Sequence, residues 1–116
     1  GLQMISACSS GAKVKISDIK YLSSNKVFLL SIERSLIETG QDRKKINSIC
    51  RFDFVDKVKS KNINQSKKDL VLELIGIDYL KNNDDYEINL IFNNNAHIAL
   101  TTETIEARLE DQNEIK

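Results

Sequence analysis

Apolar and polar positions alternate along most of the chain, in short segments separated by clusters of Asn, Ser, Gly and Asp. In residues 13–19, Val14 and Ile16 share one parity against Lys13 and Lys15, the period-2 pattern of a half-buried strand. Residues 26–34 repeat it, with Phe28, Leu30 and Ile32 on one face and Val27 and Leu29 on the other. A third strand places Ser48, Cys50, Phe52 and Phe54 inward, opposite Arg51 and Asp53. In residues 57–61, Lys57, Lys59 and Lys61 alternate with Val58 and Ser60, and such outward lysines suit an edge strand guarded against pairing with other molecules. Leu70, Leu72 and Leu74 form the fifth inward row, with Val71, Ile75 and Ile77 opposite and Gly76 placed for a bulge. After a turn at 81–85, Ile88, Leu90 and Phe92, then Ile98 and Leu100, make a hairpin around Asn93, Asn94 and Asn95.

Helical spacing marks the two ends. Leu2, Ile5 and Cys8 recur every three residues before Gly11, which is placed to stop a short helix. Ile105 and Leu109 are four apart, which predicts a closing helix over 104–111 with Glu106 and Glu110 facing solvent. Residues 35–45 read as a long polar connection, and 62–69 as a loop. The expected organisation is one mainly β domain over 1–116: a short helix in 1–11, a seven-stranded antiparallel meander in 12–100, and a helix and tail in 101–116. Such a meander bends into a barrel or a near-orthogonal sandwich, and a C-terminal helix plugs its open end. A lipocalin-like barrel and an open sheet with helices on one face are the alternatives. Val27, Leu29, Ile75 and Ile77 sit on the second faces of their strands and need cover from the N-terminal helix or from a second copy.

Composition narrows the function classes. A chain of 116 residues supports one core that buries roughly 60–70% of its unfolded surface. With 41% hydrophobic and 29% charged residues, neither disorder nor a membrane class is indicated. Seventeen basic and 17 acidic residues cancel, which removes the long-range attraction that nucleic acid or anionic lipid binding exploits. Two distant cysteines imply a reducing compartment, the cytoplasm, and no apolar run approaches the roughly 18 residues of a membrane span. Ile5-Ser6-Ala7-Cys8 mimics a lipoprotein cleavage box but lacks the charged and apolar regions that precede one. Asn64-Gln65-Ser66 fits a glycosylation acceptor, with nothing else to suggest secretion.

Candidate chemistry is sparse. His97 is the only histidine, and no nucleophile or acid is assigned to it by spacing, so an exposed strand histidine is expected. Cys50 shares the parity of Phe52 and Phe54 and reads as a buried thiol; Cys8 has no clear place. One His and two Cys give no zinc spacing. Asp53, Asp56, Asp84, Asp85 and Glu87 lack a calcium-loop pattern, and the scattered glycines make no phosphate loop. Neither metal nor cofactor is expected. The basic row Lys57, Lys59 and Lys61, with Lys67 and Lys68 after it, is the one positive feature, suited to a phosphate group or an acidic peptide. No aromatic residues interleave with it, which argues against nucleic acid.

The order of elements is similar to that of pleckstrin-homology-like domains, some of which bind ligands through lysine-rich strands and loops. A second resemblance runs over nearly the whole chain. Ile5-Ser6-Ala7, the run from Val14 to Leu22, Arg51-Phe52-Asp53-Phe54-Val55, Ile98-Ala99-Leu100 and the run from Glu103 to Asp111 resemble a family of short, uncharacterised alphaproteobacterial proteins known as a domain of unknown function. Ser10-Gly11-Ala12 and Ile32-Glu33-Arg34 depart from that family's pattern, and its members tend to start a little earlier. The resemblance carries no catalytic or binding residues. The functional expectation is a non-enzymatic binding module that engages a protein partner or its own copy. The alternative is recognition of a small anionic ligand by the Lys57, Lys59 and Lys61 face.

Overall fold

Alternation becomes a single antiparallel sheet because each strand has one apolar row to bury and all the rows meet in one core. The computed structural model describes residues 2–36 and 44–115; most of the expected 35–45 connection and the side chain of Cys8 lie outside the described residues. The elements are α1 (Leu2–Ser9), β1 (Ala12–Lys15), a 3-10 turn (Ile16–Asp18), β2 (Ile19–Leu22), β3 (Val27–Leu36), β4 (Lys44–Phe52), β5 (Val55–Lys61), β6 (Val71–Asn82), β7 (Asp85–Phe92), β8 (His97–Thr102) and β9 (Ala107–Ile115). The strand order is β5-β8-β7-β6-β1-β3-β4-β9, with β2 paired to β3 off that path. The ladder does not close, and β5 and β9 are its two ends.

Nine strands among the described residues replace the expected seven. One extra strand arises at residues 13–19, where the 3-10 turn splits the alternating run. Before the turn, β1 pairs with β6 through Ala12–Lys15; after it, β2 pairs with β3 through Ile19–Leu22. β1 also meets β3, with Lys13 opposite Glu33, so the run lies between β6 and β3 before the turn and continues along β3 alone after it.

The other extra strand corrects the closing helix. Residues 107–115 are β9, paired to β4 with Cys50 opposite Leu109 and Phe52 opposite Ala107. Ile105, Ala107 and Leu109 also alternate, and all three pack against the core. Without β9, β4 would leave an open edge beside its buried Cys50 and Phe52, so pairing overrides the helix preference of Glu, Ala, Arg and Leu. Glu106 and Glu110 are exposed, on outward positions of extended chain. A barrel plugged by a C-terminal helix, as in the pleckstrin-homology-like analogy, is therefore not the arrangement found. The helix that covers the core is α1, which packs against β6, β3 and β9 and adds Leu2 and Ile5 to the buried cluster. Gly11 ends α1 at φ +83, a conformation that suits glycine.

The inward rows hold elsewhere. Phe28, Leu30, Ile32, Cys50, Phe52, Leu72, Leu74, Ile88, Leu90, Phe92, Ile98 and Leu100 are all buried. Two expected members of those rows are exposed. Phe54 takes φ 59 at the corner between β4 and β5, which breaks the parity, and Leu70 precedes β6. The bulge at Gly76 shifts the register between Leu74 and Gly76 and turns Ile77 inward beneath α1. Val27 is buried as well, leaving Ile75 as the clearly exposed member of the four second-face positions.

Thr102 is buried on β8, and its Oγ1 is the one buried side-chain polar atom without a hydrogen-bond partner among the described residues. Thr102→Val removes that unmet hydroxyl at nearly constant shape and is expected to raise stability by about 1 kcal/mol, read from the urea midpoint.

Candidate functional site

The sheet leaves an opening where it fails to close. β2 pairs only with β3 and β5 only with β8, so each presents an unpaired edge, and the two edges flank a cleft of about 230 Å³. Ile16, Ile19, Tyr21 and Phe28 form one wall. Val58, Ile63 and Ile98 form the other, and Ser60, Gln65 and Lys68 complete the lining. Ile16, Phe28 and Ile98 are buried core residues at the floor of the cleft, and Ile19, Tyr21, Val58 and Ile63 are half-buried around them.

Both ends of the cleft are tied. At one end Tyr21 Oη donates to the Val55 carbonyl at 2.8 Å, and Val55 N–H donates to the Lys26 carbonyl at 2.8 Å. Lys26 Nζ also reaches Asp56 at 2.9 Å and Glu103 at 3.5 Å, and both partners, Asp56 foremost, raise its pKa. At the other end the loop after β5 is held to the 3-10 turn by Ile16 N–H to Leu70 O at 3.0 Å and Ser17 N–H to Lys68 O at 3.1 Å. Between these ties, residues 57–61 make no backbone hydrogen bond beyond those of their strand pairing, among the described residues. Alternate N–H and C=O groups of β5 therefore point into the opening.

Lys57, Lys59 and Lys61 are exposed on β5, and the edge position expected for them is the one observed. Among the described residues none of the three is in an ion pair, whereas Lys26, Arg34, Lys45, Arg51 and Arg108 all are. The neutral chain thus carries uncompensated positive charge along this edge. A broader hollow of about 530 Å³ lies on the outer face beside β1 and β3, lined by Lys13, Lys15, Glu33 and Asn47 among others. Its mixed charge gives no comparable preference.

The family model described as Protein of unknown function (DUF2948) matches residues 1–116. The chain belongs to that family. No curated protein and no solved structure matches it. The family description assigns no reaction to its members, so chemistry has to be read from the side chains themselves.

His97 lies on β8, half-buried, with Nε2 2.8 Å from Asn89 Oδ1 on β7. Its observed partner is an amide, which neither takes up nor delivers a proton as an acid or base partner would. Cys50 is fully buried and its thiol is pushed up to about 12 by burial. Alkylation by iodoacetamide at neutral pH is expected to spare Cys50 in the folded chain and reach it once urea unfolds the protein, as peptide mapping will show. Asp53 pairs with Arg51 at 3.1 Å and Asp56 with Lys26, while Asp84 and Asp85 are exposed around the β6–β7 turn. No group of three or more His, Cys, Asp or Glu is arranged to hold a metal ion among the described residues, and no helix there is long and apolar enough to cross a membrane.

Most of the cleft escapes a reading of the sequence. Tyr21 lies past the end of the first expected strand, and Ile63 falls within an expected polar loop. A lone isoleucine amid Asn62, Asn64, Gln65 and Ser66 is the available signal that this loop is anchored to something apolar.

Proposed function

We propose that this chain is a non-enzymatic cytoplasmic interaction module that receives a protein partner in the cleft between β2 and β5. The observation that carries the reading is the pair of unpaired strand edges over an apolar floor. Natural sheets normally cover or blunt such edges; β5 is blunted by its lysines and by the register shift between Val55 and Lys57, and from residue 57 onward by its lysines. Binding by strand addition uses these parts: main-chain groups supply affinity and side-chain pockets supply selectivity. The test is affinity capture from source-cell extract with the full chain and with Val58→Glu, which puts a charge into the cleft; equal melting temperatures confirm the fold. Proteins retained by the unaltered chain and lost with Val58→Glu are expected. Identical sets on both would overturn the reading.

A second reading, binding of a small anionic ligand, is favoured by the unpaired charge of Lys57, Lys59 and Lys61 alone. Inorganic phosphate and short polyphosphate are the probes, and the reading fails if replacing all three lysines by Gln leaves their thermal shift unchanged.

A further inference from the structure

We infer that the partner of this cleft is an extended segment with alternating apolar and acidic residues, added to β5 as a further antiparallel or parallel strand. The inference rests on the interaction reading above and specifies its ligand. Three features of β5 define the segment.

Its unpaired backbone groups run over residues 57–61, between the tie at Val55 and the loop anchored at Ile16 and Ser17. Five residues of strand span roughly 16 Å. A helix cannot satisfy these groups, because its own N–H and C=O are already paired; an extended backbone can.

The two faces of β5 then dictate the side chains. Val58 packs against the core and, with Ser60, lines the cleft, whereas Lys57, Lys59 and Lys61 are exposed on the opposite parity. A strand laid against this edge places alternate side chains over Val58, Tyr21 and Ile63 and the remainder beside the lysines. Directly opposed residues come within about 4.5–5.5 Å, so opposite charges attract there and like charges repel. Residues over the cleft are therefore apolar and those beside the lysines acidic.

Nothing within the described chain competes for this charge. Asp56, the one acid on β5, is taken by Lys26, and no acid pairs with Lys57, Lys59 or Lys61 among the described residues. Charge complementarity thus selects an acidic segment over a second copy of β5, whose own lysines would meet these.

Fluorescence anisotropy with four labelled peptides tests this on the full chain. One alternates Val and Glu, one alternates Val and Lys, one has the first composition in separate Val and Glu blocks, and one is the first peptide N-methylated at alternate residues. Saturable binding of the alternating Val and Glu peptide is expected, with amide protection against hydrogen exchange gained across residues 57–61. Lys57→Glu, Lys59→Glu and Lys61→Glu together should weaken it by about tenfold or more, as should N-methylation. Equal binding of the Val and Lys peptide would overturn the acidic assignment, and equal binding of the blocked peptide would overturn strand addition in favour of anion adsorption. Binding of none overturns the inference; if Val58→Glu still loses captured proteins, the interaction reading survives with a different ligand, and if it does not, both fail.

Discussion

Phe52→Ala is expected to lower the unfolding free energy by about 3–5 kcal/mol, a large share of the roughly 5–15 kcal/mol available to a domain of this kind. Phe52 is fully buried and sits where three strands meet: it is opposite Phe28 on β3 and Ala107 on β9, and its ring lies 6.3 Å from that of Phe28. Truncation removes the transfer energy of the ring and leaves a void that its neighbours cannot fill without moving the β3–β4–β9 ladder. Phe54→Ala is the internal comparison, two residues away and 43% exposed. It should shift the urea midpoint by less than a third of the Phe52→Ala shift, with no change in slope for either variant. Similar losses at the two positions would mean that the corner at Phe54 does not divide core from surface.

That contrast shows where period-2 reading succeeds and where it stops. Alternation alone assigns Phe28, Leu30, Ile32, Ile88, Leu90, Ile98 and Leu100 inward, and all are buried, because inside a regular strand parity is geometry. At residues 52–55 the same rule fails, since Phe54 adopts a left-handed backbone and one residue of that kind resets the parity of the next strand. At 105–109 the residues satisfy both periods: Ile105 and Leu109 share a helical face, and Ile105, Ala107 and Leu109 share a strand face. The deciding fact is the open edge of β4, which is a property of the assembled sheet and is written nowhere in residues 104–115 themselves.

The candidate site divides in the same way. Lys57, Lys59 and Lys61 on an edge strand are legible, because their spacing and charge are local. The cleft is not, because it joins Tyr21 to Val58 and Ile63 across a gap that exists only once β2 has turned away from β1 and β5 has joined β8. The same applies to the pairing of Lys26 with Asp56 and Glu103, which ties the start of β3 to β5 and to the chain after β8.

Asp111→Ala is expected to cost about 2 kcal/mol at neutral pH and to remove a specific acid sensitivity. Arg34 Nη2 donates to both carboxylate oxygens of Asp111, at 2.8 and 2.9 Å; Arg34 Nε donates to Ser48 Oγ at 3.0 Å, and Ser48 Oγ donates to Asp111 Oδ1 at 2.6 Å. The three groups lie on β3, β4 and β9, so the network fastens the last strand to the sheet. The Asp111 side chain is 45% exposed, and solvent screens its attraction to Arg34, so most of the loss comes from the partners left behind: an arginine side chain only 12% exposed and a buried hydroxyl. The Ser48 hydroxyl first, and Arg34 with it, hold the Asp111 carboxyl below its ordinary value of 3.8. A group with a depressed folded pKa contributes fully above the unfolded pKa, and that contribution disappears as pH falls through the folded value. The unaltered chain should therefore lose stability below about pH 4 more steeply than Asp111→Asn, which has no proton to take up at this position. Urea midpoints from pH 7 to pH 2.5 measure the difference. Parallel curves for the two proteins would show that β9 is held by its backbone ladder and by Leu109 alone, and replacing Arg34 by Met together with Asp111 by Leu would then be harmless.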